Sequence, residues 1–387
     1  MNKQEILKQY DDHVLKNYAR SDAVFVSGKG SVLYDVEGKE YVDFSGGIAV
    51  NTFGVADAEV MEAVNEQWNK LQHISNLYYT VPQGELAELL CQKSGMKKVF
   101  FCNSGTEANE CAIKCARKYS FDKYGAGRHE IITLKDSFHG RTMGSLSATG
   151  QDDMHKFFMP FLDGFVYSEK TVEDFDSKVS EKTCAVLIEL IQGEGGVKAL
   201  DKAFVEHIAK VCGQKDILLM IDEVQTGNGR TGSMYAYQQF GLAPDVVTTA
   251  KGLGGGLPIG AVLFGQKTES TLSYGTHGAT FGANPVCCAA ALSVVKRLTD
   301  GLFEIVKVKS KKITESLKGC SKVKAVSGMG LMLGVSVDGD AKEIAKECLG
   351  KGLVILTAKD KLRIVPALNI SLDELDKGLT ILKETLK

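Results

Sequence analysis

The sequence predicts an α/β fold: a mostly parallel seven-stranded sheet with helices on both faces, plus a smaller α+β domain built from both chain ends. From about residue 97 onward, short apolar runs alternate with helical patterns. Such alternation is typical of a parallel sheet whose crossover helices cover it. The chain has 387 residues, enough for one large domain and a smaller companion.

The apolar runs define the strands of the large domain and its limits. The connection between the last two runs is only GLGGGLP, too short for a parallel crossover, so we expect these two strands to pair antiparallel. We assign residues 49–284 to the large domain, and residues 1–48 with 285–387 to the small one. The seven runs are KKVFFCN, EIITLKD, GFVYSE, CAVLIEL, ILLMIDE, VVTTAK and IGAVLFG.

Composition excludes several classes of protein. The net charge is -2, no long basic run occurs, and no stretch approaches 18 apolar residues, so we expect neither a nucleic-acid nor a membrane partner. The ten cysteines lack C-x-x-C spacing, and MNKQEILKQYDDH carries charges where a signal peptide is apolar. We therefore expect reduced thiols, a cytoplasmic location and no metal site.

A candidate phosphate-binding turn follows the run KKVFFCN. Ser104, Gly105 and Thr106 stand where a strand gives way to a helical pattern. A helix N-terminus offers free N–H groups and the positive end of the helix dipole to an anion. The alternative is a plain helix cap with no ligand.

Two further groups end later apolar runs. Asp222 and Glu223 end ILLMIDE, and Lys251 ends VVTTAK at a glycine-rich turn. Taken singly, each also fits a cap, a surface ion pair or a solvated charge. Together with a phosphate turn they are the groups that pyridoxal phosphate needs: a carboxylate against its pyridine nitrogen and a lysine that forms its Schiff base. The sequence therefore predicts this cofactor, with Asp222 and Lys251 in those two roles.

The loop SFHGRT after EIITLKD offers three more candidates. Phe138 could stack on a cofactor ring, and Arg141 has the planar fork that binds a carboxylate. Core packing and a plain surface charge are the respective alternatives. His139 is interpreted as structural.

A competing motif is G-x-G-x-x-G at residues 227–232, with Asp245 downstream, which would indicate a dinucleotide dehydrogenase. The ribose-binding acid should end a second strand, whereas Asp245 precedes the next strand. The dehydrogenase and a non-catalytic scaffold are retained as alternatives from other classes.

Six motifs, in this order and spacing, resemble the class III pyridoxal-phosphate aminotransferases over nearly the whole chain: NSGTEANE, SFHGRT, ELIQGEGG, IDEVQTGNGRTG, TTAKGLGGGLPIGA and HGATFGANP. The resemblance implies the fold-type-I architecture of pyridoxal-phosphate-dependent transferases and a homodimer whose active site lies at the subunit interface. FSGGIAVNTFG and HISNLYYT resemble the acetylornithine aminotransferases in particular.

The resemblance also implies roles for individual residues at the cofactor. Lys251 and Asp222 would be catalytic, and Val224 would pack on the ring face opposite Phe138. Thr280 would reach the phosphate of the partner subunit's cofactor. The full implied cofactor set is Ser104, Gly105, Thr106, Phe138, Asp222, Glu223, Val224, Gln225, Lys251 and Thr280.

For substrates, the resemblance implies that Arg141 binds the distal carboxylate and that Glu194 and Arg363 form a switch between two substrates. Ala279 stands where the subfamily has a serine near the substrate, so only its backbone could serve there. The implied reaction moves the terminal amine of N2-acetyl-L-ornithine to 2-oxoglutarate, a step of arginine biosynthesis. Ornithine, succinylornithine, 4-aminobutyrate and succinyl-diaminopimelate remain alternative donors, and an aminomutase remains an alternative activity.

Overall fold

The computed structural model describes residues 1–387 and contains seventeen β-strands and thirteen α-helices. The strands are β1 Phe25–Lys29, β2 Val32–Asp35, β3 Glu40–Asp43, β4 Lys98–Cys102, β5 Glu130–Leu134, β6 Phe165–Ser168, β7 Thr183–Ile188, β8 Ile191–Gln192, β9 Lys198–Ala199, β10 Leu218–Asp222, β11 Val246–Thr249, β12 Gly260–Phe264, β13 Val323–Met329, β14 Met332–Val337, β15 Leu353–Val354, β16 Leu356–Ala358 and β17 Lys361–Ile364.

The helices begin at capping residues that the sequence supplies in most cases, such as Ser104, Asp201 and Ser371, whose side-chain oxygens accept backbone N–H groups. They are α1 Lys3–His13, α2 Gly46–Ala49, α3 Ala58–Trp68, α4 Val81–Ser94, α5 Gly105–Tyr124, α6 Met143–Ala148, α7 Val172–Lys178, α8 Lys202–Lys215, α9 Ala236–Gln239, α10 Pro285–Arg297, α11 Asp300–Leu317, α12 Ala341–Gly350 and α13 Leu372–Thr385. None of them has the length and apolar composition needed to cross a membrane.

The central sheet has seven strands in the order β4-β12-β11-β10-β7-β5-β6. Each contains part of one of the seven apolar runs, so the predicted sheet is confirmed. The pairs β11–β10, β10–β7, β7–β5 and β5–β6 are parallel. β12 runs antiparallel to β11, as its short connection predicts, and also antiparallel to β4.

Apolar side chains project from both faces of this sheet, which is why helices cover both faces. Along β10, Leu219 and Ile221 join one hydrophobic cluster, whereas Leu218 and Met220 join the other. The first cluster includes residues of α8 and the second includes residues of α5. Each fully buried Leu, Ile or Met contributes about 1.5–3 kcal/mol to folding, so the doubly covered sheet forms the most buried part of the molecule.

Two smaller four-stranded sheets flank the central one. The first, β1-β2-β3-β15, joins the chain ends because β15 runs parallel to β3. The second, β13-β14-β17-β16, is antiparallel and will be called the C-terminal sheet. Helix α10 packs against α3 and α4. The domain limits at residues 48/49 and 284/285 stay a prediction.

Candidate active site

The carboxylate of Asp222 lies at the C-terminal end of β10 and is buried. Its Oδ2 accepts hydrogen bonds from Asn109 Nδ2 and His139 Nδ1, both at 2.8 Å, and its Oδ1 accepts one from Val224 N at 3.0 Å. Both carboxylate oxygens are therefore held by donors. These bonds fix the Asp222 carboxyl group at the carboxyl edge of the sheet, where the binding sites of α/β proteins usually lie.

The sequence interpretation missed two of these partners. His139 was assigned a structural role, yet its ring donates to Asp222, while its Nε2 is buried without a partner. Asn109, on α5, also donates to the carbonyl oxygen of His139 and accepts from Thr248. The loop after β5 starts at the same edge of the sheet at which β10 ends. That shared edge was the sequence signal that could have placed His139 near Asp222.

Lys251 follows β11 directly and is the first residue of a 3-10 turn spanning Lys251–Gly254. Its backbone has a φ of +43°, a left-handed conformation that costs a non-glycine residue energy. Side chains fix the carbonyls on either side: Asn228 Nδ2 donates to Ala250 O at 3.1 Å, and Thr52 Oγ1 donates to Gly252 O at 2.7 Å. These contacts hold the turn in its strained form.

Burial lowers the pKa of the Lys251 amine below its ordinary value, although the nearby carboxylates of Glu194, Asp222 and Glu189 act in the opposite direction. Loss of solvation disfavours the ammonium form, so more of the amine is in the neutral, nucleophilic state. Burial likewise raises the pKa of Glu189, whose carboxylate accepts from Phe138 N at 2.8 Å and Gly193 N at 3.1 Å. Glu189 is a third site residue that the sequence interpretation missed.

The predicted phosphate turn forms the first turn of α5. Ser104 caps the helix by accepting from Glu107 N, and the N–H groups of Gly105 and Thr106 make no backbone hydrogen bond. Thr106 Oγ1 shares a hydrogen bond of 2.6 Å with Ser145 Oγ, which ties this turn to α6. Two free N–H groups at the start of a 20-residue helix suit a phosphate.

Two residues predicted at the cofactor ring lie near this turn. A Cβ on Gly105 would be 2.6 Å from Val224 Cγ1, so Val224 packs directly on the turn. Phe138 lies in the loop after β5, and the Arg141 guanidinium carbon is 5.4 Å from its ring centroid. The structure thus brings Phe138 and Arg141 together.

Glu223 points away from this group. Its buried carboxylate accepts from Thr226 Oγ1 at 2.5 Å and from Tyr237 N at 2.8 Å. Burial raises the pKa of Glu223 to about 7. The side chain therefore stabilises the loop after β10, and a cofactor-binding role for Glu223 stays a prediction.

Glu194 and Arg363 form an ion pair, with 2.5 Å between Oε1 and Nη1. Arg363 is buried on β17, while the Glu194 side chain is partly exposed. Arg363 Nη1 also donates to Gln225 Oε1 at 3.3 Å, and Arg363 Nε is buried without a partner. Arg363 is held in place by its burial on β17, whereas the partly exposed Glu194 side chain has room to move away.

Ala279 and Thr280 do not join this group within one chain. Thr280 is exposed and Ala279 is half-buried. Asn76 Nδ2 fixes their loop by donating to Ala279 O at 3.2 Å and Gly282 O at 2.7 Å. Lys114 Nζ holds the same loop by donating to Thr276 O at 2.7 Å.

The glycine-rich motif at residues 227–232 serves as a packing loop. No helix starts at the motif, since α9 begins at Ala236. Arg230 Nη1, buried within it, donates to the carbonyl oxygens of Leu331 and Pro366 at 3.1 and 2.5 Å. The motif therefore ties the loop after β10 to the C-terminal part of the chain. No cluster of His, Cys, Asp and Glu has the arrangement of a metal site.

Comparison with known proteins identifies the family. A model of class-III aminotransferases matches residues 15–386. Acetylornithine aminotransferase of Haemophilus ducreyi is 48% identical over 385 residues, covering 98% of this chain and 98% of that protein. Acetylornithine aminotransferase of Aquifex aeolicus is 47% identical over 379 residues, covering 97% of this chain and 100% of that protein. The chain belongs to the class-III aminotransferases.

Solved structures agree with this assignment. Ornithine aminotransferase from Toxoplasma gondii has a TM-score of 0.95 at 27% identity and covers 100% of this chain and 95% of its own. N-acetylornithine aminotransferase from Stenotrophomonas maltophilia has a TM-score of 0.84 at 35% identity, with coverages of 95% and 96%. The fold is thus the fold type I predicted from the sequence, and the dehydrogenase and scaffold alternatives are set aside.

Class-III aminotransferases use pyridoxal phosphate, which is the cofactor of this chain, and the residues present fit it. Burial lowers the pKa of the Lys251 amine, the free N–H groups of Gly105 and Thr106 suit the phosphate, and Asp222 suits the protonated ring nitrogen. The individual contacts stay predictions.

Gly105→Ala should weaken cofactor binding, because the new Cβ would push Val224 toward the cofactor ring. We expect the dissociation constant of pyridoxal phosphate to rise at least about tenfold, equal to about 1.4 kcal/mol. The measurement is a titration of cofactor-free protein followed by the visible absorbance of the bound cofactor. Gly213→Ala is the matched control, since nothing lies within 4 Å of its Cβ position on α8. Equal affinities in the two variants would contradict the placement of the turn.

Proposed function

We propose that this class-III aminotransferase moves the terminal amino group of N2-acetyl-L-ornithine to 2-oxoglutarate, giving N-acetyl-L-glutamate 5-semialdehyde and L-glutamate. The observation that carries the proposal is the contrast between two arginines. Arg141 is exposed and makes no ion pair, whereas Arg363 is buried and paired with Glu194. The names of the full-length relatives described above support the same donor.

A free Arg141 beside a neutralised Arg363 suits an amine whose carboxylate is remote. The donor's terminal amine has to approach Lys251, so its carboxylate lies several bonds away, where Arg141 can bind it with its fork. No carboxylate of the donor then lies near Arg363, so Glu194 can remain paired with it. A buried arginine without a carboxylate would be costly, which is why the ion pair favours this half-reaction.

The oxo-acid half-reaction needs the opposite arrangement. 2-Oxoglutarate reacts at the carbon next to one carboxylate, which is thereby brought close to Arg363. Glu194 can move away because its side chain is 29% exposed, whereas Arg363, at 4%, is held on β17. Arg141 would bind the second carboxylate in this half-reaction, as it binds the donor's.

Electrostatics explains why the enzyme would prefer an acetylated donor to free ornithine. Free ornithine carries an ammonium next to the carboxylate that Arg141 would bind, so two positive charges would be brought together. Acetylation removes the charge and leaves the terminal amine as the only reacting group. The exposed guanidinium of Arg141 therefore favours acetylornithine over ornithine.

The chemistry assigns roles to the chain's own residues. Pyridoxal phosphate supplies, when bound, a ring that withdraws electrons from the substrate's reacting carbon. Asp222 would keep the ring nitrogen protonated, and Asn109 with His139 fixes that carboxylate. Lys251 would attach the cofactor and, once displaced by the substrate amine, would carry the proton at the reacting carbon.

We also infer a homodimer with its active site at the interface, supported by an exposed apolar surface around Thr280. Monomers seldom leave such a patch open to water. Asn76 joins its two segments by donating to Gly282 O. Its members, all more than half exposed, are Leu77, Tyr78, Tyr79, Val81, Tyr274 and Phe281. A cytoplasmic location is inferred from the ten cysteines, none of which forms a disulfide.

Steady-state kinetics should show a higher kcat/KM for N2-acetylornithine than for ornithine. In Arg141→Met the preference should shrink, because the repulsion that disfavours the ornithine ammonium is gone. We expect kcat/KM for acetylornithine to fall about 10- to 100-fold, as when a charged hydrogen-bonding group is lost, and to fall less for ornithine.

Arg141→Lys is the matched comparison, since it keeps the charge and loses the fork. It should retain part of the preference. If the wild-type enzyme prefers ornithine or another donor, acetylornithine is not its substrate and the proposal is contradicted.

Mixing two inactive variants tests the shared site. If Thr280 serves the partner's cofactor, a dimer of one Lys251→Ala chain and one Thr280→Asp chain contains one intact site. Random reassortment of equal amounts should restore about a quarter of wild-type activity, since half of the dimers are hybrids with one working site of two. An affinity tag on one of the two chains lets the hybrid dimers be isolated, which confirms reassortment. Reassorted hybrids without activity would contradict the shared site.

A further inference from the structure

The segment that follows Glu194 contains a strained residue. Val197 has a φ of +50° and is fully buried. This left-handed conformation is a rare outlier for a β-branched residue, and such strain concentrates at functional sites. Only Gly195 and Gly196 separate Val197 from Glu194, so the position of Val197 limits where the Glu194 carboxylate can lie.

The C-terminal sheet is shaped to receive Val197. A Cβ on Gly334 would lie 2.8 Å from Val197 Cβ, and one on Gly328 would lie 3.0 Å from Val197 Cγ1. Any larger residue at Gly334 would therefore displace the valine side chain. The two glycines, on β14 and β13, form a slot in which Val197 is seated.

A chain of two hydrogen bonds reinforces this seat. Ser327 Oγ, on β13, donates to Val197 O at 2.8 Å, and Lys361 Nζ, on β17, donates to Ser327 Oγ at 3.0 Å. Lys361 is only 7% exposed and makes no ion pair, and burial lowers the pKa of its amine. A buried lysine bonded to a single hydroxyl is costly, so its retention at this point calls for a role.

The same strands hold the other half of the ion pair. Across the C-terminal sheet, Ser327 lies opposite Gly334, and Gly334 lies opposite Arg363. Lys361 and Arg363 are two residues apart on β17 and so point to the same face. The sheet thus fixes Arg363 directly and fixes Glu194 through Val197.

We propose that Val197, Ser327 and Lys361, here called the loop anchor, are positioning residues that hold Glu194 against Arg363 and so set the balance between the two half-reactions. The inference rests on the proposed function, because it assigns the ion pair to the choice between a remote and a nearby carboxylate. None of the three residues is expected to touch the cofactor or the substrate.

The loop anchor should matter in one half-reaction only. When the amino donor is bound, Glu194 has to stay on Arg363, and a loosened loop leaves the arginine poorly neutralised. When 2-oxoglutarate or glutamate is bound, Glu194 has already left and the substrate carboxylate takes its place. Loosening the loop should therefore slow the donor half-reaction selectively.

Ser327→Ala breaks both hydrogen bonds with little change in volume. Single-turnover measurements should show kcat/KM for N2-acetylornithine falling about three- to tenfold, as for one lost hydrogen bond, with kcat/KM for glutamate within about twofold of wild type. Lys361→Met should give a smaller change with the same asymmetry. The double variant should lose no more than Ser327→Ala alone, because both residues act through one chain of bonds.

Ser336→Ala is the matched control, since Ser336 lies opposite Lys361 on β14 and bonds nothing in the loop. It should leave both half-reactions unchanged. A second readout needs no turnover: the dissociation constant of glutarate, an unreactive dicarboxylate, measured by calorimetry. Glutarate should bind Ser327→Ala as tightly as wild type or more tightly, because Glu194 competes less well for Arg363.

Equal losses in both half-reactions, or no loss in either, would overturn the loop anchor, as would glutarate binding that weakens in Ser327→Ala. These outcomes are distinct from failure of the proposed function, which would appear in the wild-type enzyme as a preference for a different donor. In that event the same variants are compared with the preferred donor, and the same asymmetry remains the criterion.

Discussion

The desolvated amine of Lys251 is the constraint on which the rest of the site depends. A lysine in water is almost wholly protonated at neutral pH, and an ammonium cannot attack a carbonyl. Here burial lowers the pKa of the Lys251 amine. The turn that places it is left-handed at Lys251 and is fixed from both sides by Asn228 and Thr52. Those two residues come from separate parts of the chain, so the amine is positioned by the packed fold as a whole.

Carboxylates around this amine are held in different states by their surroundings. Asp222 has donors on both oxygens, which fix its position, whereas burial raises the pKa of Glu189. Glu194 is partly exposed and bonded to an arginine that cannot leave. One charge is thus fixed, one is disfavoured and one can move.

The sequence predicted the strands of the central sheet better than the side-chain contacts between segments that are distant in the chain. The seven strands followed from apolar runs bounded by polar residues, and the antiparallel β11–β12 pair followed from a connection too short for a helix. His139, Asn109 and Glu189 were missed because their contacts with the site depend on how strands separated in sequence are ordered in the sheet. The Ser327–Lys361 bond was invisible for the same reason, since 34 residues separate its members. The glycines at residues 227–232 match a dinucleotide-binding motif because packing against a neighbouring segment and binding a dinucleotide both call for glycine, and the position of Asp245 already spoke against the second interpretation.

The most direct test of the account is the pH dependence of the rate at which pyridoxal phosphate recombines with cofactor-free protein. The rate should rise with pH as the Lys251 amine loses its proton and should level off above the pKa of that amine. The account predicts a midpoint below that of a blocked lysine reacting with pyridoxal phosphate in the same buffers, with Lys251→Ala showing no such reaction. A midpoint equal to that of the blocked lysine, or above it, would contradict a desolvated amine at the centre of the site.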